Sequence, residues 1–500
     1  MKAKKLLVLF LVLSCTHLDS KEDKEKLEPR PYDDVVYEWT NTLGNILELA
    51  KTKHYRIDNP EKAMINAING FLTTLDPHSS FLDPKTYRMI LETTSGEFFG
   101  IGIVIDATRK PKDRFLMVLD VIPDGPSEKI GLHQYDKIIE IDGKPLEGMT
   151  TEEATAKLRG EKDTVVHIKI LRDNKPEPIP FDITRGVVKE QTSLSFYLKD
   201  YDAYYLSLTS FTSNAVEQIE KLLRKSTKNR YKGLVLDLRN NSGGLMNSAI
   251  DIAGLFLPKG SLVVTTRDKN NKETERYLTK REPIANNGLP IIILVNNFTA
   301  SAAEILAGAL KMHSEAEAKK SGKKKQKQLM VFLVGSPTFG KGSVQEIIPI
   351  KNCAAKVTTS LYHLPDGTTV QGVGILPDFP FEKQFDAPEQ VEWFKKFYGR
   401  EKALTDYIKP YGSEEEKDSE KKENSETKKA NSKTPKNWSE RARESLAKDN
   451  QFLAALTLLN LFDTTMKTNP NEVSNRIKTV SYLDSIFASH GELKMDEIKS

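Results

Sequence analysis

Three side chains in the second half of the chain have the types and spacing to cut an acyl bond together. Ser301 sits in "NNFTASAAEILAGAL" (296–310), where the β-branched run "PIIILVNN" gives way to small residues and good helix formers. A strand running into a helix with a hydroxyl at the junction can present a nucleophile, and it can equally pack an ordinary helix on a sheet. A Ser hydroxyl attacks poorly until a base takes its proton, and none of the eight histidines lies in a motif resembling that base. Lys341, in "GSPTFGKG" (335–342), can serve when neutral. That means moving its pKa from about 10.4 towards 7–8, about 4 kcal/mol of environment. Burial between "LMVFLVG" and "VQEIIPI", with no carboxylate partner, would do it. Gln345 lies four residues on, on the same face of an extended strand. Its amide can accept from the amine without the negative charge that would keep Lys341 protonated.

An acyl transfer also needs donors for the developing oxyanion. "DLRNNSGG" (237–244) ends an apolar strand in a polar, glycine-rich turn, so Gly243 or Gly244 can join the Ala302 amide in that role. One such donor is worth roughly 3–4 kcal/mol of transition-state stabilisation. Taken alone, the motif reads as an ordinary strand-to-helix turn.

Two other chemistries fail on detail. "GSPTFGKG" nearly matches a phosphate-binding loop, and "GLVLD" resembles an apolar strand ending in a magnesium-binding Asp. Yet Gly342 stands where the loop needs a hydroxyl, and a β-branched strand follows where the phosphate needs a helix N-terminus. No His/Asp/Glu cluster has metal-ligand spacing, so no metal or other cofactor is expected. A net charge of +4 on 500 residues gives no reason to propose nucleic acid as a partner.

The elements that must position these residues can be read from the pattern. Five hundred residues call for two to four domains. "MKAKKLLVLFLVLSC" (1–15) has basic residues, an apolar run too short to span a bilayer, and Ser14-Cys15, the form of an export signal. Its end resembles a bacterial lipobox, so Cys15 is a candidate for lipidation; cleavage without lipidation and an uncleaved anchor also fit. The only other cysteine is Cys353, so an acylated Cys15 leaves no intrachain disulfide. Residues 16–31 read as a tether and 32–91 as mostly helical, ending in "LDPHSSFLDPKTY", where His78 is expected as a turn or packing residue.

Residues 92–186 form a separate unit of short strands with one capped helix, "TTEEATAKLRG", a small partly open barrel. His167 falls in the alternation of "TVVHIKILRD", on one sheet face. Residues 187–382 alternate strands and helices, which calls for a mixed sheet covered by helices. Within them the Lys-rich 311–329 reads as an exposed insertion. Residues 383–410 look helical, 411–437 is a charged, almost apolar-free linker expected to be disordered, and 438–500 returns to helical periodicity.

"LDPHSSFLD", a PDZ-like unit ending in "LRGEKDTVV", "LVLDLRNNSGG", "FTASAAEILAGAL", "GSPTFGKGSVQ" and "YHLPDGTTVQGVGILPD" occur in that order. The set, over about residues 30–382, resembles the carboxyl-terminal processing peptidases, or tail-specific proteases. The resemblance implies a multi-domain, mixed α/β chain: a PDZ domain beside an α/β serine peptidase core, with helical N- and C-terminal regions. It maps the nucleophile to Ser301, three residues before Glu304, the base to Lys341 and the orienting amide to Gln345. Phe99, Gly100, Ile101 and Gly102 become the PDZ-like loop whose amides hold a substrate's terminal carboxylate. Departures exist: Ser242 replaces the usual Pro, Ala303 stands where many members have a second Ser, and the Lys-rich segment lengthens the Ser301–Lys341 spacing.

The expected partners are proteins with free apolar C-termini, an envelope adaptor, and a membrane reached through a lipid on Cys15, in a bacterial envelope or periplasm. The competing reading is a catalytically inactive, PDZ-containing scaffold. Intact Ser301, Lys341 and Gln345 argue against it.

Overall fold

The computed structural model describes residues 31–55, 59–106, 110–122, 124–173, 175–226, 231–285, 288–319, 328–381, 401–404, 407–410, 446, 448–473 and 475–490. The chain divides into two units, Met1–Met64 and Ile65–Ser500. The segments expected as an export signal with Cys15, as a tether up to residue 30 and as a charged linker lie outside the described residues.

The helical start consists of α1 (Tyr32–Lys53), α2 (Pro60–Thr73), the short strand β1 (Ser80–Leu82) and α3 (Pro84–Ser95). Helix α3 begins with Pro84 at its first position and the Asp83 carboxylate accepting from Thr86 N. It ends at Gly96, whose φ of +68° and close approach to the Thr212 side chain both require a missing Cβ.

The second region contains β2 (Glu97–Gly100), β3 (Ile103–Ile105), β4 (Leu116–Val121), α4 (Pro126–Lys129), β5 (Lys137–Ile141), β6 (Lys144–Pro145), α5 (Thr151–Leu158), β7 (Val165–Leu171), β8 (Ile179–Thr184) and β9 (Gly186–Lys189). The sheet runs β3-β4-β5-β7-β8, with β6 on β5, while β2 pairs β9. Strand β7 alternates strictly, burying Val166, Ile168 and Ile170 and exposing His167. Thr150 and Glu153 close a reciprocal capping box on α5, as the hydroxyl before that helical pattern foretells.

The third region holds β10 (Ser193–Leu198), β11 (Ala203–Leu208), α6 (Ala215–Ser226), β12 (Gly233–Asp237), α7 (Met246–Ala253), β13 (Leu262–Arg267), β14 (Glu273–Leu278), β15 (Pro290–Val295), α8 (Ala302–Lys319), β16 (Met330–Gly335), β17 (Ser343–Ile350), β18 (Cys353–His363) and β19 (Phe379–Pro380). Two further helices, α9 (Asn450–Thr468) and α10 (Arg476–His490), complete the chain. The central sheet has the order β10-β11-β12-β15-β16-β19, parallel except for β10. Leu234, Leu236, Ile291 and Ile293 face one core with residues of α6, α7 and α8. Val235, Ile292 and Leu294 face the other with α9 and Leu483 of α10. Burial on both faces explains why these strands are continuous apolar runs rather than alternations.

Three expectations are corrected. One mixed sheet was expected to take in "VQEIIPI"; instead β17 pairs β18 in a second sheet of order β1-β18-β13-β14, and the loop carrying Lys341 crosses from one sheet to the other. The β13–β14 hairpin is an element the sequence pattern does not announce. Nor is the Lys-rich segment an exposed insertion from residue 311. Helix α8 runs on to Lys319 and buries Ser314 and Ala318. Ser314 Oγ donates to Leu329 O at 2.8 Å and accepts from Val331 N at 3.0 Å, and Lys311 reaches Leu376 O and Asp378. These anchors on β16, the residue before it and the Leu376–Asp378 segment outweigh the lack of apolar periodicity; residues 320–327 lie outside the described residues. Of the helix expected over 383–410, the described residues contain a 3₁₀ turn at Glu401–Ala403.

Candidate active site

The exit of β15 is a tight turn organised by Asn296. Its carbonyl accepts from Thr299 N at 2.8 Å, and its side-chain oxygen accepts from Phe298 N at 3.1 Å. Buried Thr299 donates its hydroxyl to Leu238 O at 2.9 Å, and Ala300 N donates to Asn241 O at 3.0 Å. The turn after β15 is thereby sewn to the turn after β12. Ser301 emerges with φ +55°, a left-handed conformation that costs a side-chain-bearing residue about 1–2 kcal/mol. Its carbonyl accepts from Ile305 N and from the Tyr362 hydroxyl. Among the described residues Ser301 Oγ has no hydrogen-bond partner. An S-x-x-E start would ordinarily form a capping box, with the hydroxyl bonded to the N–H of residue 304. Only the Glu half forms here, so the hydroxyl is left available.

That Glu half is the centre of the site. Glu304 is fully buried, and its Oε2 accepts from both Ser301 N and Lys341 N, each at 2.9 Å. Its Oε1 accepts from Gly340 N at 2.8 Å and from the Thr338 hydroxyl at 2.5 Å. Ile375 N donates to that hydroxyl, so the Thr338 proton must go to Glu304. One carboxylate thus pins the Ser301 turn to the loop that carries Lys341. Burial pushes its pKa up to about 7, against the pull of the four donors.

Lys341 sits in the β16–β17 loop, further tied by Phe339 N to Thr299 O at 3.0 Å and Gly342 N to Gln371 Oε1 at 2.7 Å. Burial first, then the charge of Lys356, hold the Lys341 amine below its ordinary 10.5; Glu401, Asp76 and Glu304 act in the opposite sense. Its Nζ has no hydrogen-bond partner among the described residues, so no direct bond joins it to Ser301 Oγ in this conformation. Gln345 is re-aimed by a register shift between Val344 and Gln345 and pairs with Thr358 on β18. Its Nε2 donates to Ser343 Oγ at 2.9 Å and Thr358 Oγ1 at 3.1 Å.

Gly243 lies directly against Ser301. A Cβ there would come within 2.8 Å of Ser301 Cβ and 3.0 Å of Ala302 N, so only glycine fits. Its N–H, however, donates to Asn241 Oδ1 at 2.8 Å. Gly244 forms a parallel bridge with Phe211 through flanking groups, leaving its own N–H without an acceptor among the described residues. The Ala302 N–H, at the start of α8, has none either. These two amides are the unengaged donors beside Ser301.

The four residues of the PDZ-like loop divide in role. Phe99 and Gly100 pair with β9, whereas Ile101 and Gly102 follow the strand end, and their amides have no acceptor among the described residues. Ile101 plugs the local core. Gly102 has φ +76° and lies against Pro126. Strand β3 pairs only with β4 and forms the sheet edge beside these amides.

Motif reading did not assign a second layer behind Lys341 and Gln345. Asp76, His78 and Ser79 of "LDPHSSFLD" form a buried turn against Thr358. His78 Nε2 meets Glu401 at 2.8 Å, and Glu401 in turn accepts from Gln371. The acidic residue and hydroxyls packed into the "LDPHSS" turn are the signal that marks it. On the other side, Arg239 clamps Asp237 and reaches Asp449 at 2.7 Å, ahead of the glycine turn.

Residues 202–381 match the model of Peptidase family S41 and residues 88–171 that of the PDZ domain. A carboxy-terminal-processing protease of Bartonella bacilliformis is 35% identical over 75% of this chain and 81% of its own length. A carboxyl-terminal-processing protease of Synechocystis is 34% identical over 62% and 69%. The carboxy-terminal processing protease CtpA of Bacillus subtilis is 32% identical over 68% of each. This fold and this extent of likeness define a PDZ-bearing serine-type peptidase. The chain belongs to the carboxyl-terminal processing protease family.

Proposed function

We propose that the chain is an exported endopeptidase in which Lys341 activates Ser301 and the PDZ domain selects substrates by their C-terminal tails. The observation that carries the reading is the single Glu304 oxygen bonded to both the Ser301 and Lys341 amides. It holds hydroxyl and amine in one site while adding no hydrogen bond to the amine itself. Neutral Lys341 takes the Ser301 proton as Oγ attacks the scissile carbonyl carbon. The oxyanion is received by the Ala302 and Gly244 amides, and Gly243 joins them if its bond to Asn241 is released. The Lys341 ammonium then protonates the leaving amine, and the same amine later activates the water that frees the acyl group. Gln345 Oε1, opposite an Nε2 already engaged by two hydroxyls, is left to accept from the Lys341 amine in the active arrangement.

A substrate tail adds as a strand along β3, its carboxylate received by the Ile101 and Gly102 amides beside Phe99 and Gly100. Tail binding also draws Ser301 and Lys341 into hydrogen-bond contact. The N-terminal signal directs the protein to the bacterial envelope, with Cys15 as the lipid attachment point and an adaptor as a further partner.

The test is cleavage of a protein with an apolar C-terminal tail. Ser301→Ala and Lys341→Ala should each abolish turnover with the circular dichroism spectrum intact, and the double variant should be no worse than either. Turnover above a few per cent of wild type in either variant refutes the assignment.

A further inference from the structure

We infer that Asp76 is a positioning residue for the base, acting through the Thr358 hydroxyl to determine which way round the Gln345 amide lies. The inference rests on the Ser–Lys–Gln reading of the site. Asp76 follows α2 in the turn Leu75–Ser79 and is almost wholly buried. Its Oδ1 accepts from His78 N at 2.8 Å, Ser79 N at 2.9 Å and Thr358 Oγ1 at 3.0 Å, and its Oδ2 accepts from Ser79 Oγ at 2.5 Å. Burial opposes the charge, but these donors prevail and hold the carboxyl below its ordinary value. The group is therefore an ionised carboxylate, an acceptor only.

That single fact propagates. Thr358 has one hydroxyl proton, and an acceptor-only neighbour at 3.0 Å takes it. The Thr358 oxygen is then left to accept, and the donor facing it at 3.1 Å is Gln345 Nε2. The second Nε2 proton goes to Ser343 Oγ at 2.9 Å. With both N–H groups engaged on this side, Gln345 Oε1 points away as an acceptor. An amide has nearly the same shape when flipped, so sterics alone would not select this orientation; the proton direction set by Asp76 does.

The orientation matters because a neutral amine has one lone pair, and that pair must receive the Ser301 proton. A Gln345 amide presenting Oε1 accepts an amine N–H and leaves the lone pair clear. A flipped amide would donate N–H into the lone pair and block the base. The framework for this relay is β18, which pairs with β1 beyond the Asp76 turn on one side and with β17 on the other.

The experiment measures kcat and KM on a tail-bearing protein. Thr358→Val, which removes the hydroxyl but keeps the shape, should lower kcat at least tenfold with KM within twofold. Thr358→Ser, which keeps the hydroxyl, should restore most of it. Asp76→Ala, which removes the acceptor of the Thr358 proton, should behave like Thr358→Val, whereas Asp76→Asn, whose oxygen stays on the His78 and Ser79 amides and still accepts from Thr358, should keep most of kcat. In a Gln345→Ala background, itself slow, Thr358→Val should cause no further loss, because the relay has nothing left to turn. The inference is overturned if Thr358→Val retains wild-type kcat, or if its effect multiplies with that of Gln345→Ala as two independent structural defects would. Should Asp76→Ala not fold, the Thr358 and Gln345 variants decide the matter. If Gln345→Ala keeps full kcat while Ser301→Ala is dead, the role of Gln345 itself fails, and the relay with it.

Discussion

At the scale of single residues, two buried ionisable groups work in opposite senses. Burial lowers the pKa of Lys341, so its charged form is disfavoured in the folded protein. Unfolding releases that penalty, so this contribution to stability is full above the ordinary 10.5 and is lost as pH falls through the lowered folded value. The proposed role as base needs the neutral amine, so activity should rise with pH through the same folded value. Replacing Lys341 with Met should therefore abolish turnover yet raise the melting temperature at pH 7; a lower melting temperature would show that the amine is not held at a cost. Glu304, raised to about 7, stabilises the fold fully below its ordinary 4.5 and loses that contribution as pH rises through about 7. Its ionised form is the one that can accept all four donors. Glu304→Gln, which sets an amide N–H against one or more of them, should cut kcat at least tenfold and cost about 1–3 kcal/mol by denaturant titration. Unchanged kinetics would mean that the brace between Ser301 and Lys341 is dispensable.

At the scale of elements, the edge strand β3 and the amides of Ile101 and Gly102 form the proposed tail site. Amidating the C-terminus of a peptide substrate removes the charge that those amides would hold. The expected outcome is a severalfold or larger loss of kcat/KM, and a bulky residue at Gly102 should reproduce it, since φ +76° and Pro126 leave no room for a side chain. Equal cleavage of free-acid and amidated peptides would refute tail recognition and leave the Ser–Lys chemistry standing. Helix α8 carries a second element-scale lesson. Lysines and polar residues continue the helix past residue 311 because Ser314 and Glu317 bond to the start of β16. Such anchoring has no periodic signature in the sequence.

At the scale of the whole molecule, the C-terminal helices belong to the catalytic body. Asp449 caps α9 through Phe452 N and also receives Arg239, two residues before the Asn241–Gly244 turn. Asp449→Ala removes a helix cap and a charged hydrogen-bonding partner, and should cost about 2–4 kcal/mol in urea unfolding. Asp449→Asn keeps the cap and should cost less. If both variants unfold at the wild-type midpoint, α9 does not brace this turn.

Local pattern settled much of this architecture in advance. The runs that become β11, β12, β15 and β16, the capped α5, and the small-residue start of α8 are legible because burial on both faces and capping are decided by neighbours in sequence. Ser301, Lys341, Gln345 and the glycine turn were legible as residue types and as motifs in order. Tertiary structure alone decided that β17 leaves the central sheet, that Glu304 bonds the Ser301 and Lys341 loops together, and that Asp76 lies behind Gln345. It also decided that Gly244 rather than Gly243 presents the unengaged amide. Glu304 and Asp76 act on partners 37 and 282 residues away, so those hydrogen bonds exist only once the two sheets and their loops are brought together. The β17–β18 and Gly243–Asn241 bonds are short-range, but their directions follow from backbone turns that a residue pattern does not specify.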